Sequence, residues 1–343
     1  MKIDAFTHIL PAEYAERMSA LGDTPAARNI RNRIAGIPAL VDVDLRLAQL
    51  EEFGDDYRQV ISLPAPPLED IGEPALGREM AQLANEGLAG LVEERPERFA
   101  GWVAALPLGD VDDAIEEARR AVRELGAAGV QIYTNVAGVP WDDPRFAPFW
   151  DAMAELDAMT WVHPSRNVTW ADYPTENRSR YEIWWALGWP HETSLFMARI
   201  AFSGLFDRHP GLWILTHHGG GTVPHLEGRI AGGWDQLGAR TPADEHDDVA
   251  NDLKRRPLDY FKMFYADTAL FGAPNAIATA LAFFGPERIL FASDSPFDPE
   301  RGPGYIRTTI SDLESLDLEN ETRDRIYAGN AQRLLNLETT LTH

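Results

Sequence analysis

Short runs of apolar residues recur along this chain, and after most of them apolar positions return every three or four residues. The runs predict strands at Lys2–His8, Arg58–Leu63, Phe99–Leu106, Gly129–Tyr133, Met159–His163, Leu212–His217, Met263–Asp267 and Arg288–Ser293. Stretches such as "DAIEEARRAVRELG" carry the helical spacing, here stopped at Gly126. Strand-then-helix alternation without a short repeat predicts parallel β-structure. Eight such units in 343 residues predict one domain, 1–343, folded as a (β/α)8 TIM barrel. Catalytic groups in that architecture sit where strands end, so the strand exits are the places to look.

The polar residues answer to that expectation. Strand one ends at His8, strand five at His163, strand six at His217 and His218, and strand eight at Asp294. Imidazole and carboxylate ligands from separate strands suit a borderline divalent metal with open positions for substrate. Neighbouring residues on a strand point to opposite faces, so only one of His217 and His218 is expected inside the barrel, with the other packed against a helix. Gly219–Gly221 then let the backbone turn sharply and approach a ligand. No Lys-Ser or Lys-Thr follows them, which excludes a nucleotide-phosphate loop.

Two segments break the alternation. Residues 12–45 insert helical and proline-containing material after strand one, and residues 165–195 form a tryptophan-rich segment between strands five and six. Long connections in compact folds are usually functional. The second is read either as a lid walling the substrate pocket or as a dimer contact, since interfaces are also rich in Trp. Trp102, Trp170, Trp184, Trp185 and Phe297 are the candidate aromatic walls. Arg46 is read as half of a helix-surface ion pair, or alternatively as a carboxylate binder at the mouth.

Composition narrows the classes. The net charge of −23 leaves no basic stripe for nucleic acid. No apolar stretch reaches the length of a membrane span. Cysteine is absent, so thiolate ligands and a cysteine nucleophile are excluded, and a cytoplasmic enzyme is the expectation.

The segments "WVHPS", "WILTHHGGGTVPHLEGRI", "YADTALFG", "PERILFASDSPF" and "IYAGNAQRLL" together resemble the amidohydrolase superfamily, in the branch of the aminocarboxymuconate-semialdehyde and resorcylate decarboxylases. The resemblance implies one divalent metal ion, zinc or manganese, held by His8, His163 and Asp294. It implies His218 as the strand-six acid/base or an additional ligand, Asp294 as a catalytic carboxylate, and Arg229 as a substrate-carboxylate binder at the interface of a homodimer. Strand four carries Gln131 and Tyr133 and no bridging lysine, so at most one metal is expected. One position departs: Phe6 stands where such proteins usually carry His or Glu, and is read as apolar lining of the substrate site with Trp185 and Phe297.

The leading expectation is therefore non-oxidative decarboxylation of a small aromatic or unsaturated carboxylic acid, with His218 delivering the proton. Two rivals share the scaffold: a metal-dependent hydrolase or hydratase acting on a lactone, ester or enol, and a metal-less binding protein that lost catalysis with the strand-one ligand.

Overall fold

A computed structural model describes residues 1–240 and 253–335. Eight parallel strands lie in sequence order: β1 (Lys2–His8), β2 (Tyr57–Ser62), β3 (Phe99–Ala105), β4 (Gly129–Tyr133), β5 (Met159–His163), β6 (Ile214–Thr216), β7 (Tyr265–Asp267) and β8 (Ile289–Leu290). Three backbone bonds carry the seam from β8 back to β1: Ala5 N to Phe291 O at 2.8 Å, Asp294 N to Phe6 O at 3.2 Å, and His8 N to Ser295 O at 2.8 Å. The (β/α)8 barrel is thereby closed by the same residues that flank His8 and Asp294.

Burial on both faces explains why the strands read as near-continuous apolar runs. Val103, Trp161 and Leu215 share one cluster with Phe6, while their chain neighbours Trp102, Ala104, Val162 and Ile214 pack with the helices in another. Trp102, offered above as a cavity wall, belongs to that second layer and is core. The last three strands are shorter than their sequence patterns. Beyond Thr216 the chain enters a tight turn in which His218 has φ +56°, and beyond Leu290 the backbone bonds to β1 and to Ile326.

Both long connections reach the barrel mouth. Between β1 and β2 run α1 (Ala12–Ser19), α2 (Pro25–Gly36) and α3 (Val43–Leu50). Thr24 caps α2 by accepting from Ala27 N, and Pro25 occupies its first turn, where its missing N–H is not needed. Between β5 and β6 lie the helices Ile183–Ala186 and Gly188–Phe202. No helix among the described residues is long and apolar enough to cross a membrane.

Candidate metal centre and substrate cavity

Four histidines gather at the mouth, and each has its Nδ1 already engaged. His8 Nδ1 meets Ser62 Oγ at 3.1 Å; that hydroxyl gives its own proton to Thr7 O, so the imidazole donates. His217 Nδ1 donates to Asp267 Oδ2 at 2.5 Å, His163 Nδ1 to Pro164 O at 2.7 Å, and His218 Nδ1 to Ala269 O at 2.9 Å. These bonds assign one tautomer to all four rings and leave every Nε2 as the outward nitrogen.

Two of those nitrogens, on His8 and His217, are buried without any hydrogen-bond partner. Asp294 Oδ1 stands 3.2 Å from the first and 3.4 Å from the second, off hydrogen-bond line. The ligand atoms of His8, His217 and Asp294 all lie within 4.8 Å of one another. Two orphaned imidazole nitrogens converging on a carboxylate form a donor set that fits a divalent transition metal. His163 stands beside this group, its ring centroid 5.4 Å from His8 and 5.7 Å from His217, and outside the three-residue cluster.

The expectation that His217 and His218 face opposite ways is corrected. Their rings stack at 3.8 Å and 23°, because β6 ends at Thr216 and the left-handed His218 cancels strand alternation. His217 is thus a site residue that alternation and motif alone passed over; the signal available was its position directly after the strand.

Phe6 is also placed differently from its expected role. It is fully buried, stacks on His217 at 3.9 Å and 28°, and is not on the wall of the cavity above. It packs against the candidate ligands His217 and His8.

That cavity measures about 490 Å³ and is walled by Trp184, Trp185, Trp189, Phe271, Phe297 and Tyr305, with Asn29, Arg33, His163, His218 and Asp294 supplying polar atoms. Trp185 and Phe297, two of the candidate aromatic walls, are both on this cavity. Trp189 replaces Trp170, which sits under the Arg166 guanidinium instead. Arg229 is exposed and off this wall. Arg46 is buried at 2% exposure, bonded to His8 O and Gln59, and forms neither a surface ion pair nor a mouth-facing contact. Arg33 on α2 takes the cavity-facing position. Its guanidinium lies 5.1 Å from the Phe297 ring centroid and donates to Asn29 Oδ1, and it pairs with no carboxylate among the described residues.

Burial sets the charge states. It pushes His8 down and His163 well below the ordinary imidazole value, in each case outweighing the pull of Asp294. Burial and the neighbouring His217 push His218 down to about 4. Burial acts the same way on His217, but Asp267 and Asp294 outweigh it and raise the group to about 9. Burial would raise Asp294; His217 and His8 beside it hold it well below the carboxylate range instead.

The amidohydrolase family matches residues 3–337 of this sequence. The chain belongs to that family. This amidohydrolase is 35% identical to the gamma-resorcylate decarboxylase of Rhodococcus jostii, covering 87% of this chain and 89% of the relative. It is 29% identical to the 2-amino-3-carboxymuconate-6-semialdehyde decarboxylase of Dictyostelium discoideum, over 98% and 92%. A crystal structure of a dihydroxybenzoic acid decarboxylase from Polaromonas, with manganese and 2-nitroresorcinol bound, superposes with a TM-score of 0.76 at 26% identity, over 100% of this amidohydrolase and 99% of that chain.

Proposed function

We propose that this chain is a carbon–carbon lyase, a metal-assisted decarboxylase of a small aromatic or unsaturated carboxylic acid. The observation that carries the reading is the convergence of two partnerless imidazole nitrogens and the Asp294 carboxylate at the foot of an aromatic cavity. His8, His217 and Asp294 would hold the ion, zinc or manganese, with His163 poised at its edge. When bound, a divalent metal supplies charge withdrawal from a carboxylate and a neighbouring oxygen.

The chain's own residues do the rest. Trp184, Trp185, Trp189 and Phe297 offer faces to a flat ring and exclude water, which favours loss of neutral CO2 over retention of a carboxylate. Arg33, a guanidinium paired with no carboxylate among the described residues, receives an anionic group of the substrate. His218 is neutral near pH 7 and turns Nε2 to the cavity, so it enters as a base. It takes the proton of a ring hydroxyl beside the carboxylate and returns it to the carbon bearing that carboxylate. The C–C bond then breaks, its electrons restore the ring, CO2 leaves and water reprotonates the phenolate.

The same reading covers the assembly. Arg229, exposed on the helix Glu227–Trp234, reaches a substrate carboxylate only across the interface of a homodimer.

The test is CO2 release from 2,6-dihydroxybenzoate, salicylate and muconate-type acids by protein loaded with Mn²⁺ or Zn²⁺. We expect turnover of at least one acid, a loss of a hundredfold or more in kcat for His218→Asn, and no detectable turnover for Asp294→Asn. Hydrolysis of lactones or esters with no CO2 from any acid would overturn the reading.

A further inference from the structure

Directly beneath the two ends of the barrel seam lies a buried polar chain that the reaction itself does not use. Arg46 Nη1 donates to the carbonyl of His8 at 2.7 Å, and its Nε donates to Gln59 Oε1 at 2.8 Å. Gln59 Nε2 donates to Tyr57 Oη at 3.1 Å, and that hydroxyl donates to Asp4 Oδ2 at 2.6 Å. Asp4 then grips Ser293 twice, from its N–H at 3.0 Å and its Oγ at 2.5 Å. Ser293 Oγ in turn accepts from Ser295 N at 3.1 Å. The chain thus starts on the backbone of one candidate ligand and ends on the residues either side of another, Asp294.

Two features make this more than core packing. Arg46 and Asp4 are opposite charges, 2% and 0% exposed, joined only through the neutral Gln59 and Tyr57. Burying charges is costly, and the network offsets that cost only while every member keeps its place; Arg46 Nη2 is its one buried side-chain polar atom left without a partner. Asp294 also has φ +64°, a left-handed conformation that a non-glycine residue keeps only when its surroundings impose it. Asp4 holds the preceding residue at both N–H and hydroxyl, and Phe6 O accepts from the N–H of Asp294 itself.

We propose that Arg46 and Asp4, linked through Gln59 and Tyr57, are positioning residues that aim His8 and Asp294 at a shared divalent ion. The inference rests on the metal reading above. Outer partners of metal ligands typically contribute about 10–100-fold in affinity. The network sets His8 through its carbonyl and Asp294 through its backbone angle, so it governs two ligands from one place.

The experiment is Mn²⁺ titration of the full-length metal-free protein, followed by the electron paramagnetic resonance of free Mn²⁺, with thermal unfolding in parallel. Ser293→Ala and Tyr57→Phe each delete one oxygen and leave both charges in place. We expect each to weaken Mn²⁺ binding at least tenfold. Met153→Ala, a buried change on the outer helix Ala147–Leu156, serves as the control: it lowers the unfolding temperature and retains the wild-type Mn²⁺ affinity. Arg46→Lys, which keeps a donor for the His8 carbonyl, should bind Mn²⁺ more tightly than Arg46→Met. Affinities within twofold of wild type in both single-oxygen variants overturn the inference and leave the metal reading standing. A wild-type protein with no saturable Mn²⁺ site overturns the metal reading, and the inference falls with it.

Discussion

Phe6 stacks on His217 with ring centroids 3.9 Å apart and planes 28° from parallel, giving an apolar floor to an imidazole that also stacks on His218 and sets its Nε2 3.4 Å from Asp294. A ligand-type residue at this position would add a donor; the phenyl ring adds rigidity instead. Phe6→His is expected to tighten Mn²⁺ binding at least tenfold, read by competition with a chelator of known affinity. Phe6→Ala empties a fully buried site and should lower stability by about 3–5 kcal/mol, measured by urea unfolding.

Metal uptake should follow the protonation of His217. Its Nδ1 proton is committed to Asp267, so the proton an ion displaces is the one on Nε2, and the group sits at about 9. Below that pH the metal must expel a proton, and above it none is needed. Mn²⁺ affinity is therefore expected to rise about tenfold per pH unit from 6 to 8 and to level off near 9. A flat profile from pH 6 to 9 would show that another group holds the ion.

Arg33 is expected to act on substrate binding more than on metal binding. Arg33→Ala should raise KM about tenfold or more for acids with a second anionic group, with Mn²⁺ affinity unchanged. Arg33→Lys keeps the charge and loses the planar fork, so it should fall between the two. Equal KM values across the three proteins would remove Arg33 from the site.

A stability effect is expected away from the metal. Both carboxyl oxygens of Glu69, after β2, are buried without a hydrogen-bond partner, and burial raises the group from 4.5 to about 8. A raised carboxyl favours the folded state fully below its unfolded value and less as pH climbs towards 8. Glu69→Gln removes that dependence. The variant should gain about 4 kcal/mol relative to wild type between pH 4.5 and pH 8, seen as a difference in urea midpoints that grows with pH. A difference that stays constant across this range would count against the buried carboxyl.

The barrel was legible because strand and helix periods differ, and because His8, His163 and Asp294 all sit where apolar runs stop. Strand ends were less legible where local backbone conformation overrides alternation. His218 is left-handed, so the rule that separates neighbouring side chains failed at the one pair where it was needed. Arginine placement was the least legible. Arg33 and Arg46 are 13 positions apart in one insertion, and nothing in their local patterns says that the first meets the cavity and the second the core. That outcome depends on how α2 and α3 cross the mouth, which is tertiary information. Asn330 ties the helix Asn330–Leu334 to β8 by donating to Ile289 O and to the turn before it by donating to Pro286 O.

The seam between β1 and β8 also bears on how the protein is made. His8 leaves the ribosome before His217, and His217 before Asp294. A nascent chain therefore has no candidate ion-holding cluster until β8 and the residues just after it have been translated. Metal capture, on this geometry, waits for β8, and fragments that stop before Ser293 should neither close the barrel nor retain an ion.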